Sequence, residues 1–99
     1  MIDIHILKEH IERIEPGQRV ELNDLNGEPS MEITKTKHGL LIGFSNSGHP
    51  YNALLNMSQP VLKVENGNLN IDSLDSITGK YYASLSIYDY NYFSMEVKE

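Results

Sequence analysis

The sequence predicts an α+β domain in which an N-terminal amphipathic helix packs on a mostly antiparallel, twisted sheet of about five to seven short strands. The first observation behind this prediction is a stripe of apolar residues at helical spacing near the N-terminus. The second is that later apolar segments alternate with polar residues and are separated by residues typical of turns. At 99 residues, the chain is expected to form one domain spanning 1–99.

The N-terminal helix is predicted from its apolar spacing and its end signals. Asp3 is a suitable N-cap, and Glu15–Gln18, which contains a proline and a glycine, ends the helix because proline has no N–H to donate. A helix of about three turns is marginal alone in water, so its apolar stripe must be buried against the rest of the chain. Four residues form this stripe: Ile4, Leu7, Ile11 and Ile14.

The segments after the helix predict strands and hairpins. Val20 and Leu22 alternate with charged residues, and residues 31–44 read as a hairpin with Lys37–Gly39 as its loop. Asn66-Gly67 separates two alternating segments, and both residues tolerate the positive φ of a type I′ turn.

The C-terminal third predicts a further hairpin, and residues 50–60 admit two interpretations. Residues 81–88 and 93–97 alternate apolar with polar side chains, which predicts a second hairpin closed by Asp89-Tyr90-Asn91. Residues 50–60 fit either a short helix after an N-terminal proline or an irregular strand between two prolines.

Composition restricts the classes of function. Eight Lys and Arg against fourteen Asp and Glu give a net charge of −6, which argues against direct binding to a nucleic acid backbone. The charge is −4 in residues 1–29, +2 in 30–64 and −4 in 65–99. The absence of cysteine excludes disulfides, thiolate nucleophiles and cysteine-based zinc sites. With no signal peptide or membrane segment evident, we expect a cytoplasmic protein and no membrane partner.

The polar stretch of residues 43–52 is the first candidate site. It does not fit the G-x-S-x-G nucleophile elbow, and the phosphate-binding glycine motifs do not occur in the chain. The simpler interpretation is a polar connection whose side chains satisfy local backbone groups. The alternative is a ligand loop that uses Asn46, Ser47, His49 and Tyr51.

Metal and catalytic patterns are weak. His5, Glu9 and Glu12 share one helix face, but H-E-x-x-H is absent, and a solvated acidic face explains them better than a metal site does. The acidic and amide residues of 68–75 lack the glycine and the terminal acid that a calcium loop needs at fixed offsets. We therefore predict no metal, no cofactor and no catalytic residue.

Tyrosine is the remaining feature, because six of the eight aromatic residues are Tyr. Tyr88, Asp89, Tyr90 and Tyr92 are the candidate residues for binding a partner, since tyrosine offers a large contact area at low entropic cost. The alternative is that these tyrosines are sheet formers that cover the edge of the core.

These observations favour a small acidic, non-enzymatic binding protein that contacts another protein, and a basic surface on that partner would complement its charge. An inhibitor, immunity or antidefence factor of bacterial or phage origin is the class expected. One alternative is an oligomeric domain that sequesters or senses a nucleotide or metabolite, using the 46–52 loop with Lys35 and Lys37. A second alternative is a structural or assembly subunit whose exposed sheet edges pair in a homo-oligomer.

Overall fold

The structure is an α+β arrangement with antiparallel sheets. The computed structural model of the chain describes residues 1–46, 49–74 and 77–99, and for residue 46 and residues 49–54 it describes the backbone alone. The elements in chain order are α1 (Ile4–Arg13), β1 (Arg19–Asn23), β2 (Pro29–Lys35), β3 (Gly39–Asn46), β4 (His49–Ser58), β5 (Pro60–Glu65), β6 (Asn68–Leu74), β7 (Tyr81–Tyr88), a 3₁₀ turn (Asp89–Asn91) and β8 (Ser94–Lys98).

The strands of the described residues form two sheets rather than the single sheet expected. One sheet has five strands in the order β4-β3-β2-β1-β8, and the other has three in the order β5-β6-β7. The division falls between β4 and β5, where Gln59 takes a left-handed backbone with φ of 49°. Pro60 follows and has no N–H with which to continue a ladder. The chain therefore leaves the larger sheet after Ser58 and starts a new one.

The helix follows its sequence pattern. The carboxylate of Asp3 caps it by accepting from the backbone N–H groups of His5 at 2.9 Å and Ile6 at 3.2 Å. α1 contacts β1, β5 and β6, so it touches both sheets. Its apolar stripe is buried there, and fully burying one such side chain contributes about 1.5–3 kcal/mol. This burial stabilises a helix that would be marginal alone.

The core is almost entirely aliphatic. Among the described residues, sixteen hydrophobic side chains are buried, and Tyr92 is the one aromatic ring in that set. Both sheets and the helix supply residues to a single cluster. The fully buried members include Leu7, Ile11, Val20, Leu22, Ile33, Leu40, Ile42, Met57, Leu69, Ile71 and Ile87.

The two central hairpins match the prediction. β2 and β3 pair antiparallel with Ile33 opposite Ile42, and residues 36–38 connect them. β5 and β6 are joined by Asn66 and Gly67, whose φ angles of 48° and 79° are both positive, as a type I′ turn requires. The open question of residues 50–60 is also answered, because β4 runs to Ser58 and Pro60 begins β5.

The predicted C-terminal hairpin is wrong. β7 pairs with β6, whereas β8 pairs with β1, placing Val97 opposite Val20. The 3₁₀ turn carries the chain from one sheet to the other, and the N–H of Phe93 then donates to the carbonyl of Asn23 at 2.9 Å. Alternation identifies a strand but carries no information on its neighbour. The two acidic ends of the chain consequently meet along β1 and β8.

Cations partly neutralise the carboxylates where these acidic ends meet. Glu21 lies opposite Glu32 on one side and Glu96 on the other, and it is buried to 9% exposure. Lys98 contacts Glu21 at 2.9 Å, and Arg19 contacts Glu32 at 3.3 Å. The hydrogen bond and charge of Glu21 raise the pKa of Lys98. This cluster therefore holds the β1–β8 pair together rather than presenting a bare acidic surface.

Among the described residues there is no helix with the length and apolar character needed to cross a membrane.

Candidate functional site

A pair of tyrosines, one partly exposed and one exposed, stands at one end of the three-stranded sheet. Tyr88 is the last residue of β7, and the 3₁₀ turn directs the next tyrosine, Tyr90, back towards it. Their ring centroids are 5.5 Å apart with a tilt of 34° between the ring planes. Tyr90 is 58% exposed. The pair therefore offers aromatic surface to solvent while each ring restricts the motion of the other.

Asp89 connects this pair to the β5–β6 turn. Its backbone N–H donates to the carbonyl of Gly67 at 3.2 Å. Its carboxylate lies so close to the turn that a Cβ at Gly67 would be 3.2 Å from Oδ2. Glycine at position 67 thus suits the positive φ of the turn and leaves room for the carboxylate of Asp89. We call Gly67, Tyr88, Asp89 and Tyr90 the tyrosine end.

Tyr92, the fourth candidate of the partner-binding group, lies elsewhere. It is 9% exposed and belongs to the core cluster. Burial raises the pKa of its hydroxyl because a charged phenolate is poorly solvated inside the protein. Tyr92 therefore anchors the turn from beneath and does not contribute to its exposed surface.

The outer face of the three-stranded sheet is a polar ladder that ends at Tyr88. The hydroxyl of Ser84 donates to Asp72 at 2.6 Å, and that of Ser86 donates to the side-chain oxygen of Asn70 at 2.8 Å. At the next strand, Lys63 contacts Glu65 at 2.6 Å, and the hydrogen bond to Glu65 raises the pKa of Lys63. These groups satisfy one another, so this face is flat, polar and ordered rather than apolar.

Aromatic rings lie mainly outside the core. Phe93 is 63% exposed, although its alternation with Met95 and Val97 in the sequence predicts an inward position. It follows the 3₁₀ turn directly, so it lies beside the tyrosine end in the chain. The prediction missed it because the start of β8 depends on pairing with β1. Among the side chains that the structure describes, the other tyrosines that are more than half exposed are Tyr81 and Tyr82.

The ligand-loop residues cannot be assigned side-chain contacts. Asn46 and His49 pair across the end of the β3–β4 hairpin, and Tyr51 lies in β4. Ser47 lies outside the described residues, as do the side chains of the other three. Lys35 lies opposite Leu40 at the other end of β3. The extended strand from Leu40 to Asn46 spans roughly 20 Å. The structure therefore does not bring the lysines of the alternative hypothesis to this loop.

The carboxylates of the helix face are engaged in ion pairs. Glu9 contacts Arg13 at 2.9 Å, and Glu12 contacts Lys8 at 2.8 Å. Within the described part of the chain, no group of three or more His, Cys, Asp and Glu side chains is placed to hold a metal ion. Asp72 belongs to the segment that was compared with a calcium loop. It lies on the outer face of β6 and accepts a hydrogen bond from the hydroxyl of Ser84.

No protein-family model, curated protein or solved structure matches the chain.

Proposed function

We propose that this protein acts by binding another protein through the tyrosine end, without catalysing a reaction. The observation that carries the proposal is the contact between Tyr88 and Tyr90, two partly or largely exposed rings held on an ordered turn. The core is mostly aliphatic, and most of the described aromatic rings point outward. The tyrosine end is therefore not needed to complete the fold. Large exposed aromatic surface on a small domain is a common mark of an interaction site.

The geometry lowers the entropic cost of binding. A tyrosine can bury about 150–250 Å² against a partner, and aromatic residues dominate the energetics of protein interfaces. The ring contact between Tyr88 and Tyr90 reduces the rotamer freedom that each side chain loses on association. Asp89 holds the turn against Gly67, so the backbone needs little rearrangement.

Charge favours a basic partner. Asp89 is the acidic group of the tyrosine end, whereas Asp72 lies opposite Val61 near the other end of the sheet, and Lys63 is already paired with Glu65. The whole chain carries a net charge of −6. Complementary charge raises the rate of association more than it raises affinity.

The functional class that fits these properties is a small inhibitor, immunity or antidefence factor of bacterial or phage origin. A cytoplasmic location is part of the proposal, and the absence of cysteine is consistent with a reducing compartment. Assembly into a homo-oligomer is the competing possibility, since the rings of the tyrosine end are also suited to contacting a second copy.

A site-specific photocrosslinker tests the proposal. The crosslinking amino acid replaces Tyr90 in one variant and Tyr81 in a control, because Tyr81 is similarly exposed at 62% but stands at the other end of β7. In the cells that make the protein, we expect a discrete adduct from position 90 and none from position 81. The yield should fall when salt is raised during crosslinking in extract.

Two results would count against this function. An adduct at twice the mass of the chain would assign the tyrosine end to a second copy and support assembly instead. Equal adducts from both positions, or none from position 90, would show that this end is not a specific contact surface. A second variant with Tyr88→Ala and the crosslinker at position 90 should give less adduct than the parent, because it removes the neighbouring ring.

A further inference from the structure

A cavity of about 410 Å³ lies between the end of the helix, the β2–β3 connection and the start of β5. Ligand sites for small molecules fall in the range of about 300–1,000 Å³, so this one is at the small end. Its apolar walls are aliphatic and its rim is polar. The walls are Ile11, Leu40, Pro60 and Leu62, and the rim is Glu12, Lys35, Thr36, Lys37 and Gly39.

Lys35 places a positive charge at the inner side of the rim. Its ammonium donates to the backbone carbonyls of Ile11 at 2.7 Å and Glu12 at 3.2 Å. These carbonyls belong to the last turn of α1, which has no further helical N–H groups to satisfy them. An ammonium has three donors. Among the described residues, the third donor of Lys35 has no partner.

Lys37 adds a second charge without a counterion. Five of the eight Lys and Arg side chains contact carboxylates, namely Lys8, Arg13, Arg19, Lys63 and Lys98. In the part of the chain that the structure describes, Lys35, Lys37 and Lys80 make no such contact. Two of these three line the cavity. The one rim carboxylate, Glu12, is paired with Lys8 at 2.8 Å. The rim is therefore basic in an acidic protein.

The rim is held in place before any ligand binds. The N–H of Gly39 donates to the hydroxyl of Thr36 at 3.0 Å, and the N–H of Thr36 donates to the carbonyl of Gly39 at 2.9 Å. A Cβ on Gly39 would collide with the backbone oxygen of Met57 and lie 3.2 Å from Cδ of Pro60. Glycine at this position thus allows β3 and β4 to approach closely beside the cavity.

We propose that this cavity binds a small amphipathic anion, with its carboxylate or phosphate head at Lys35 and Lys37 and a short aliphatic body against the walls. The ammonium groups of Lys35 and Lys37, neither of which contacts a carboxylate of the described residues, supply the charge complementarity. The partly exposed side chains of Pro60 and Leu62 supply the accessible apolar surface, above the buried Ile11 and Leu40. This site does not rest on the proposed protein-binding function. The cavity lining extends along β5 from Pro60 to Leu62, and about 10 Å of strand separates Leu62 from Glu65 beside the tyrosine end.

Titration by two-dimensional NMR with hexanoate as the probe tests the site. We expect saturable shifts of the backbone amides of Thr36, Gly39 and Leu40. Acetate, which lacks the aliphatic body, and 1-hexanol, which lacks the charge, should each bind about fivefold or more weakly. Hexyl phosphate is titrated in parallel, and the tighter of the two anions identifies the preferred head group. Shifts that do not saturate, or equal shifts with hexanol, would overturn the proposal.

Two lysine variants provide the matched comparison. Lys37→Gln and Lys80→Gln remove the same charge from exposed lysines that contact no carboxylate of the described residues, but only the first lies at the cavity. We expect Lys37→Gln to weaken hexanoate binding about fivefold and Lys80→Gln to leave it unchanged. Equal weakening by both variants would show that hexanoate binding depends on the net charge of the protein, and it would overturn the assignment of the anion site to the cavity. Tyr90→Ser should leave hexanoate binding unchanged, which keeps this test separate from that of the tyrosine end.

Discussion

The two ends of the three-stranded sheet differ in shape, charge and residue type. At the end where β5 begins, the chain forms a concave, basic cavity with aliphatic walls. At the end where β5 turns into β6, it forms a projecting, acidic and aromatic surface. The difference follows from the connections. A two-residue turn permits close packing, whereas the junction of helix, loop and strand leaves a space between elements.

The comparison shows that one small sheet supports two independent surfaces. Sites separated by more than about 7–10 Å, with no shared partners, respond additively to substitution. The two ends do share the buried centre of the sheet, where Leu69 and Ile71 of β6 are fully buried. Substitutions in the centre should therefore affect both ends, and substitutions at one end should spare the other.

The largest effect is expected from Ile71→Ala. Ile71 is fully buried and lies between Leu62 of β5 and Leu85 of β7. Truncation of such a side chain leaves a cavity and lowers the free energy of unfolding by about 2–5 kcal/mol, as measured by urea denaturation. Val61→Ala, on the exposed side of β5, is the control and should change it by less than about 1 kcal/mol. Comparable losses from both variants would contradict the assigned core.

The next effect is expected from Gly39→Ala, which should perturb the cavity and spare the tyrosine end. In Gly39→Ala the new methyl group meets the backbone oxygen of Met57, which cannot move without disturbing the β3–β4 pairing. We expect a loss of about 2 kcal/mol or more in the free energy of unfolding. Amide shifts should concentrate around the cavity and leave residues 88–90 unchanged.

Gly67→Ala is the counterpart at the tyrosine end. It forces a positive φ on alanine, which costs about 1–2 kcal/mol, and brings the methyl group 3.2 Å from Asp89. Its amide shifts should concentrate on residues 66–67 and 88–90. Perturbation of both ends by either variant would show that the ends are coupled rather than independent.

A smaller effect is expected from Lys35→Met. This change retains most of the side-chain volume but removes the donors to the carbonyls of Ile11 and Glu12. Each hydrogen bond contributes about 0.5–1.5 kcal/mol net, so urea denaturation should show a loss of roughly 1–2 kcal/mol. Lys37→Met, whose ammonium has no partner among the described residues, should change stability by less than about 0.5 kcal/mol. Equal effects would mean that Lys35 does not cap the helix.

The smallest effect concerns alkaline pH and the buried Tyr92. Burial raises the pKa of Tyr92, and Glu21 raises that of Lys98. Both shifts favour the protonated folded state, so the stability that they contribute is fully present below the unfolded pKa values of about 10 and is lost as pH rises above them. Thermal unfolding at pH 8–11 should show a steeper alkaline decline for wild type than for Tyr92→Phe. Identical declines would show that Tyr92 does not titrate in a buried environment.

The elements differ in how much of their structure the sequence predicts. The helix, its Asp3 cap and the Asn66-Gly67 turn follow from the sequence because each depends on contacts within a few residues. The outward position of Asp72 follows from strand alternation. Phe93 and Tyr92 exchange their expected positions because the 3₁₀ turn rotates the chain between two sheets. A pattern of neighbouring residues does not predict that rotation.

The cavity could be anticipated only in part. The mildly basic middle segment, including Lys35 and Lys37, is visible in the sequence. Its association with Ile11 and Pro60 is not, because these residues come from a helix and a strand far apart in the chain. The sequence analysis instead assigned the two lysines to the 46–52 loop, which lies at the opposite end of β3.

By itself, the sequence determined where the helix and most strands form, which side chains most of them direct inward and where the tight turns lie. These properties arise from backbone preferences and from periodicity over a few residues. Only the tertiary structure decided that the strands divide into two sheets, that β8 joins β1 and that two lysines face an aliphatic cavity. Such features depend on which distant segments share contacts, and the alternation of a strand is compatible with many neighbours.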